Sequence, residues 1–133
     1  MTRDELDTLR EGWDFEAKLA AGPDGRGAVP DAFWETYSAM ANGQGGRIVL
    51  GLREQRDGSL DVSGIPDVER VERDLWNMLQ NRNKISANLL TSSDVERQAI
   101  DGSAILVVSV PRARRQDRPV FVNDDLWGGT FLR

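Results

Sequence analysis

The sequence predicts an α+β fold: a mixed β-sheet with helices packed mainly on one side. Three observations carry that expectation. Two long stretches, 30–42 and about 67–82, repeat apolar residues at helical spacing. Between and after them lie short β-branched apolar runs, "RIVLGL" and "AILVVSV". The resulting order, αβαββαβββ, alternates long helices with strands, and helices then cover a sheet to bury its apolar face.

The elements follow in chain order. Thr2-Arg3-Asp4-Glu5 fits a capping box and starts a short helix over 3–10. In "WDFEAK", Trp13, Phe15 and Ala17 alternate with Asp14, Glu16 and Lys18, the period of a half-buried strand. "AAGPDGRGA" is a loop. In "PDAFWETYSAMAN", Pro30 opens a helix whose Phe33, Trp34, Tyr37, Met40 and Ala41 share a stripe. Gly43 is placed to cap it in a left-handed conformation, and Gly45-Gly46 to reverse the chain into a central strand over 47–52. A turn at "EQRDGSL" leads to a short strand over 59–63, so 47–63 reads as a hairpin. Val68, Val71, Leu75, Met78 and Leu79 form one stripe of an amphipathic helix. Two strands flank an Asp-Gly turn at 101–102. "PRARRQDRP" is a basic loop, and "VFVN" and "GGTFLR" read as short strands.

At 133 residues the chain makes one domain, and the apparent strand "TFLR" at its end suggests the N-terminal part of a longer protein. No apolar run reaches the length of a membrane span, and nothing resembles a signal peptide, so a cytoplasmic location is expected. There is no cysteine and no histidine, which removes disulfides, thiolate metal sites and the common general base. Chemistry is left to carboxylates, Lys, Arg, hydroxyls and backbone amides. The net charge of −5 argues against a uniformly basic nucleic-acid surface but leaves room for a local patch. Such a patch is at hand in Arg112, Arg114, Arg115 and Arg118, four arginines in seven positions. Arginine favours planar, bidentate contact with phosphate. Arg47 and Arg56 extend the patch if the sheet brings them near.

The glycines of "SAMANGQGGRIVLGLRE" do not form a phosphate cradle. A cradle needs a loop feeding a helix N-terminus, where free amides face the anion. Here the helix comes first, the glycines follow, and a strand comes last.

Three segments, "FEAK", "WETYSAMANGQGGRIVLGLRE" and "ILVVSVPRA…RPVFVN", resemble the Schlafen AlbA_2 domain, also called the divergent AlbA domain. The similarity runs over about residues 9 to 133. It implies a domain that interacts with DNA or RNA, often the N-terminal module of a bacterial transcriptional regulator. In the animal Schlafen proteins, similar domains form a metal-dependent endoribonuclease with three acidic residues. Position by position, Glu11 and Glu16 match the first two acids, Glu54 the third, and Lys18 the motif lysine. Gly12, Ala17, Met40, Gly43 and Arg53 depart from the family pattern.

Three functional expectations result. The first is nucleic-acid binding through Lys18, Arg53, Arg112, Arg114, Arg115 and Arg118. The second is a ribonuclease in which Glu11, Glu16 and Glu54 hold Mg²⁺ or Mn²⁺, hard ions suited to oxygen ligands, with Lys18 or Arg53 on the phosphate. Its geometric condition is that Gly12 lets Glu11 swing to the Glu16 side and that the strand over 47–52 delivers Glu54 to both. The third is a non-catalytic homodimer built on a sheet edge at "TFLR" or "VFVN". Trp34, Tyr37 and Trp76 are expected in the core, while Trp127 either stacks a base or packs on another segment.

Overall fold

The structure is a computed structural model that describes residues 1–12 and 14–133. The strand alternation expected at Trp13 therefore lies outside the described residues. Helix α1 is Arg3–Arg10, and its first turn is capped by the Thr2 hydroxyl, which accepts from the Glu5 N–H at 3.1 Å. Strand β1 is Phe15–Lys18, α2 is Asp31–Asn42, and β2 is Gly46–Leu50. Strands β3 (Leu52–Glu54) and β4 (Leu60–Val62) precede α3 (Val68–Leu79). Strands β5 (Val95–Ile100) and β6 (Ser103–Val110) complete the regular elements.

Four strands form one mixed sheet in the order β1-β2-β6-β5. β1 runs parallel to β2 across the α2 crossover, and the other two pairings are antiparallel. Register separates the faces. Glu16, Ile48, Val108 and Val95 lie side by side on one face, as do Lys18, Leu50 and Leu106. Helices α2 and α3 pack on this face, burying Phe33, Trp34, Tyr37, Met40, Val71, Leu75 and Leu79 against Ile48, Leu50 and Leu106. Trp76 is half-buried at the margin of this core. The opposite face, with Val49, Ile105 and Val107, is covered by Leu6 of α1 and by Leu52 and Leu60 of β3 and β4. β2 is thus buried on both sides, which is why its sequence is continuously apolar after Arg47 rather than alternating.

Three local expectations are corrected. The hairpin expected over 47–63 is not one hairpin, because β2 pairs with β6 while β3 pairs with β4 in a separate two-stranded ribbon. Gly51, at φ +98°, breaks the strand between Leu50 and Leu52 and turns β3 away from the sheet. The left-handed glycine after α2 is Gly45 (φ +79°), not Gly43 (φ −102°). The reason is crowding: a Cβ on Gly45 would sit 2.6 Å from the Val110 carbonyl oxygen, and one on Gly46 2.7 Å from that of Asp14. The glycines bring the turn against β6 and the entry to β1. Finally, "VFVN" and "GGTFLR" are not strands; they make isolated bridges, Phe121 with Thr130 and Val122 with Ile85.

Gly45→Ala is expected to lower the unfolding free energy by about 1–3 kcal/mol, since it combines a positive φ with a backbone clash. Urea denaturation followed by circular dichroism measures it; an unshifted midpoint contradicts the close approach.

Candidate nucleic-acid interface

The arginine loop starts where β6 ends. Its neighbours there are Gly46, opposite Val110, and Asp14, whose carbonyl accepts from the Arg47 N–H at 2.7 Å. The loop is fastened to α2 at two points. The buried Ala113 donates its N–H to the Ala41 carbonyl at 2.9 Å, satisfying one of the open carbonyls at the helix end. Seven residues later, Val120 donates its N–H to Asn42 Oδ1 at 2.7 Å and accepts from the Ser38 hydroxyl at 2.6 Å. Between these anchors Arg114 and Arg115 are exposed, Arg112 is exposed just before the first, and Arg115–Asp117 forms a single 3-10 turn. Alternation around the buried Ala113 turns Arg112 and Arg114 outward.

Arg114 pairs with Asp117 at 3.3 Å, yet its side chain stays 74% exposed. Arg112 and Arg115 make no ion pair among the described residues. Arg118 is half-buried, and its Nε has no hydrogen-bond partner. Arg115 and Arg118 line an open cleft of about 540 Å³ with Asn42, Pro119 and Leu132. A smaller hollow beside it joins Arg118 to Asp117 and to Arg82, whose guanidinium donates to the Ser86 carbonyl. Arg112 and Arg114 flank a third hollow with Asn88, Leu89 and Asp117. The result is a positive surface built by the loop and by residues 82–89, on a chain of negative total charge.

The remaining candidates are placed elsewhere. Because β1 and β2 are parallel, Lys18 lies beside Leu50, at the end of the sheet away from the arginine loop. Arg53 lies further on, exposed on β3 opposite Asp61. Arg56, in the turn between β3 and β4, belongs to that end too. Arg56 therefore does not extend the patch, and Lys18 and Arg53 lie apart from it.

The acids are also separated. Glu16 projects on the α2 face and accepts from Arg133 Nη1 at 3.0 Å. Asp14 takes the same guanidinium in a bidentate grip, 2.7 Å from Nε and 2.7 Å from Nη2. These bonds hold the Asp14 carboxyl below the usual carboxylate range and push the Arg133 pKa up. Glu54 is paired with Arg10 of α1 at 3.2 Å, on the opposite side of the sheet. Glu11 is the exposed C-cap of α1; Gly12, at φ +79°, does turn the chain there. Among the described residues, no three acidic groups come together in an arrangement that holds a metal ion. The acids are held apart: Asp14 and Glu16 share Arg133 on one side of the sheet, and Glu54 pairs with Arg10 on the other. Glu11, Glu16 and Glu54 therefore do not form the three-carboxylate cluster expected for Mg²⁺ or Mn²⁺.

Two contributors were not apparent from the sequence. Arg133 is 119 positions from Asp14, and no local pattern links them. Arg82 sits in "NRNK", and its proximity to the arginine loop depends on chain folding alone.

Comparison with known proteins agrees with this architecture. Residues 11–133 match the Schlafen, AlbA_2 family, and the chain belongs to it. It is similar to the N-terminal domain of a protein from Nitrosomonas europaea named as related to the ATP-dependent DNA helicase RecG. The two share 28% identity with a TM-score of 0.68, over 98% of this chain and 84% of the other. The fold also recurs in the DIP2311 protein from Corynebacterium diphtheriae, at 20% identity and a TM-score of 0.54. There the match covers 84% of this chain and 19% of that one. No protein with a curated description matches. No helix among the described residues is long and apolar enough to cross a membrane.

The Asp14–Arg133 pair makes a pH prediction. A carboxylate whose folded pKa is depressed contributes stability above its unfolded pKa and loses it as pH falls through the folded value. Arg133→Ala is expected to be slightly less stable than the parent at pH 7, by no more than about 1 kcal/mol because the pair is a third exposed. That difference should shrink below about pH 4. Paired urea titrations at pH 7 and pH 3 read it; an equal difference at both contradicts the ion pair.

Proposed function

We propose that this domain binds nucleic acid, and that the arginine loop over 111–119 makes the phosphate contacts. One observation carries the reading: Arg115 is held outward on a loop pinned at Ala113 and Val120, Arg112 is exposed just before the first pin, and neither makes an ion pair among the described residues. A pinned loop loses little further conformational freedom when it meets a ligand. Guanidinium groups match phosphate oxygens bidentately, and several on one surface create a local field that attracts a polyanion. Elsewhere the molecule's acids outnumber its bases, so the same polyanion is repelled from other faces. Family membership and the likeness to a RecG-related domain support this reading. Contacts of this kind position a backbone and read little base sequence.

Fluorescence anisotropy with labelled DNA and RNA at low salt tests the proposal. Replacing Arg112 and Arg115 together by Ala is expected to weaken binding about tenfold or more. It should also flatten the dependence of log affinity on log salt by about 1.4 for single strands and about 1.8 for duplex. Unchanged affinity in the double variant, or no binding by the folded parent, overturns it.

A further inference from the structure

The cleft beside the arginine loop combines two guanidinium groups with an apolar side chain that the fold holds out in water. Leu132 is 77% exposed. It is nevertheless fixed on both sides. Phe131 donates its N–H to Ser38 Oγ at 3.1 Å and accepts from Asn42 Nδ2 at 3.0 Å. Arg133 grips Asp14 and Glu16. Five polar contacts thus immobilise a leucine that buries little of its own surface. Opposite it, Pro119, Arg115 and Arg118 complete the cleft. Arg118 Nε is buried with no hydrogen-bond partner among the described residues, which leaves the outer N–H groups to meet an anion.

Resting on the nucleic-acid reading above, we infer that this cleft takes one nucleotide of an unpaired strand. The phosphate lies on Arg115 and Arg118, and the face of the base lies on Leu132 and Pro119. The volume, about 540 Å³, is within the range of roughly 300–1,000 Å³ common to small-ligand pockets. Duplex can meet the loop only through its backbone. Reading a groove takes a projecting helix or ribbon, and the loop offers only the three-residue 3-10 turn Arg115–Asp117. The face of a base in a duplex is covered by its neighbours in the stack, whereas an unpaired base exposes it to apolar or guanidinium planes. The hollow that joins Arg118 to Arg82, Asp117 and Phe121 continues the track for the adjoining nucleotide, with its phosphate on the arginine side.

The test is anisotropy with labelled oligomers of about 12 units, within the site sizes of single-strand binders, as single-stranded DNA, single-stranded RNA and the corresponding duplexes. Single strands are expected to bind at least about tenfold tighter than duplex. Leu132→Ser should weaken single-strand binding about three- to tenfold and leave duplex binding unchanged. Trp127→Ala, at an exposed residue on the segment that follows Asn123, should alter neither. Whichever of DNA or RNA binds more tightly identifies the sugar, and either result supports the inference if Leu132→Ser weakens it. Equal binding of single strands and duplex, or an unaffected Leu132→Ser, overturns the inference while leaving the phosphate-binding loop intact. Absence of binding to every oligomer overturns both.

Discussion

Two polar side chains of α2 organise the end of the molecule that carries the arginine loop. Ser38 is fully buried, donates to the Val120 carbonyl and accepts from the Phe131 N–H. Asn42, one turn later, bonds both the N–H and the carbonyl of Val120 and also the carbonyl of Phe131. Buried backbone groups that lack a ladder must find partners elsewhere. The stretch after residue 119 has almost no ladder of its own, and α2 supplies the missing bonds. The arginine loop closes on one side of this hub and the terminal tail on the other. Both the positive surface and the exposed Leu132 are consequences of it.

Charge is distributed by the same construction. The tail delivers Arg133 to Asp14 and Glu16, and α1 delivers Arg10 to Glu54. Acids that the chain places near the sheet are thereby neutralised from within. Of the arginines just after β6, Arg114 pairs with Asp117, and no other ion pair is made by Arg112, Arg114 or Arg115 among the described residues. A protein with a net charge of −5 can in this way present a concentrated cationic surface at one end of its sheet. The parallel pairing of β1 with β2 decides which residues share that end. It aligns Asp14 with the start of β2 and the finish of β6, and it carries Lys18 to the far end.

Local patterns made much of the fold legible. α1, α2, α3 and the β5–β6 hairpin each announce themselves within about a dozen residues, through a cap, a stripe or an Asp-Gly turn. The break at Gly51 was not legible, because a glycine inside an apolar run reads equally as strand. Its consequence, the separate β3–β4 ribbon, depends on β6 outcompeting β4 for the edge of β2. Nor did the sequence distinguish Gly43 from Gly45 as the left-handed residue. That choice belongs to the Val110 carbonyl, which lies across the fold.

By itself, the sequence determined the helices, the family, the lack of histidine and cysteine chemistry, and the arginine-rich loop, all of which depend on residue type or short spacing. Tertiary structure alone decided which charges meet. Asp14 and Arg133 are 119 positions apart, and Arg10 and Glu54 are 44 apart. Coulomb attraction between such residues acts over a few ångströms in a folded molecule, and no period along the chain encodes that distance.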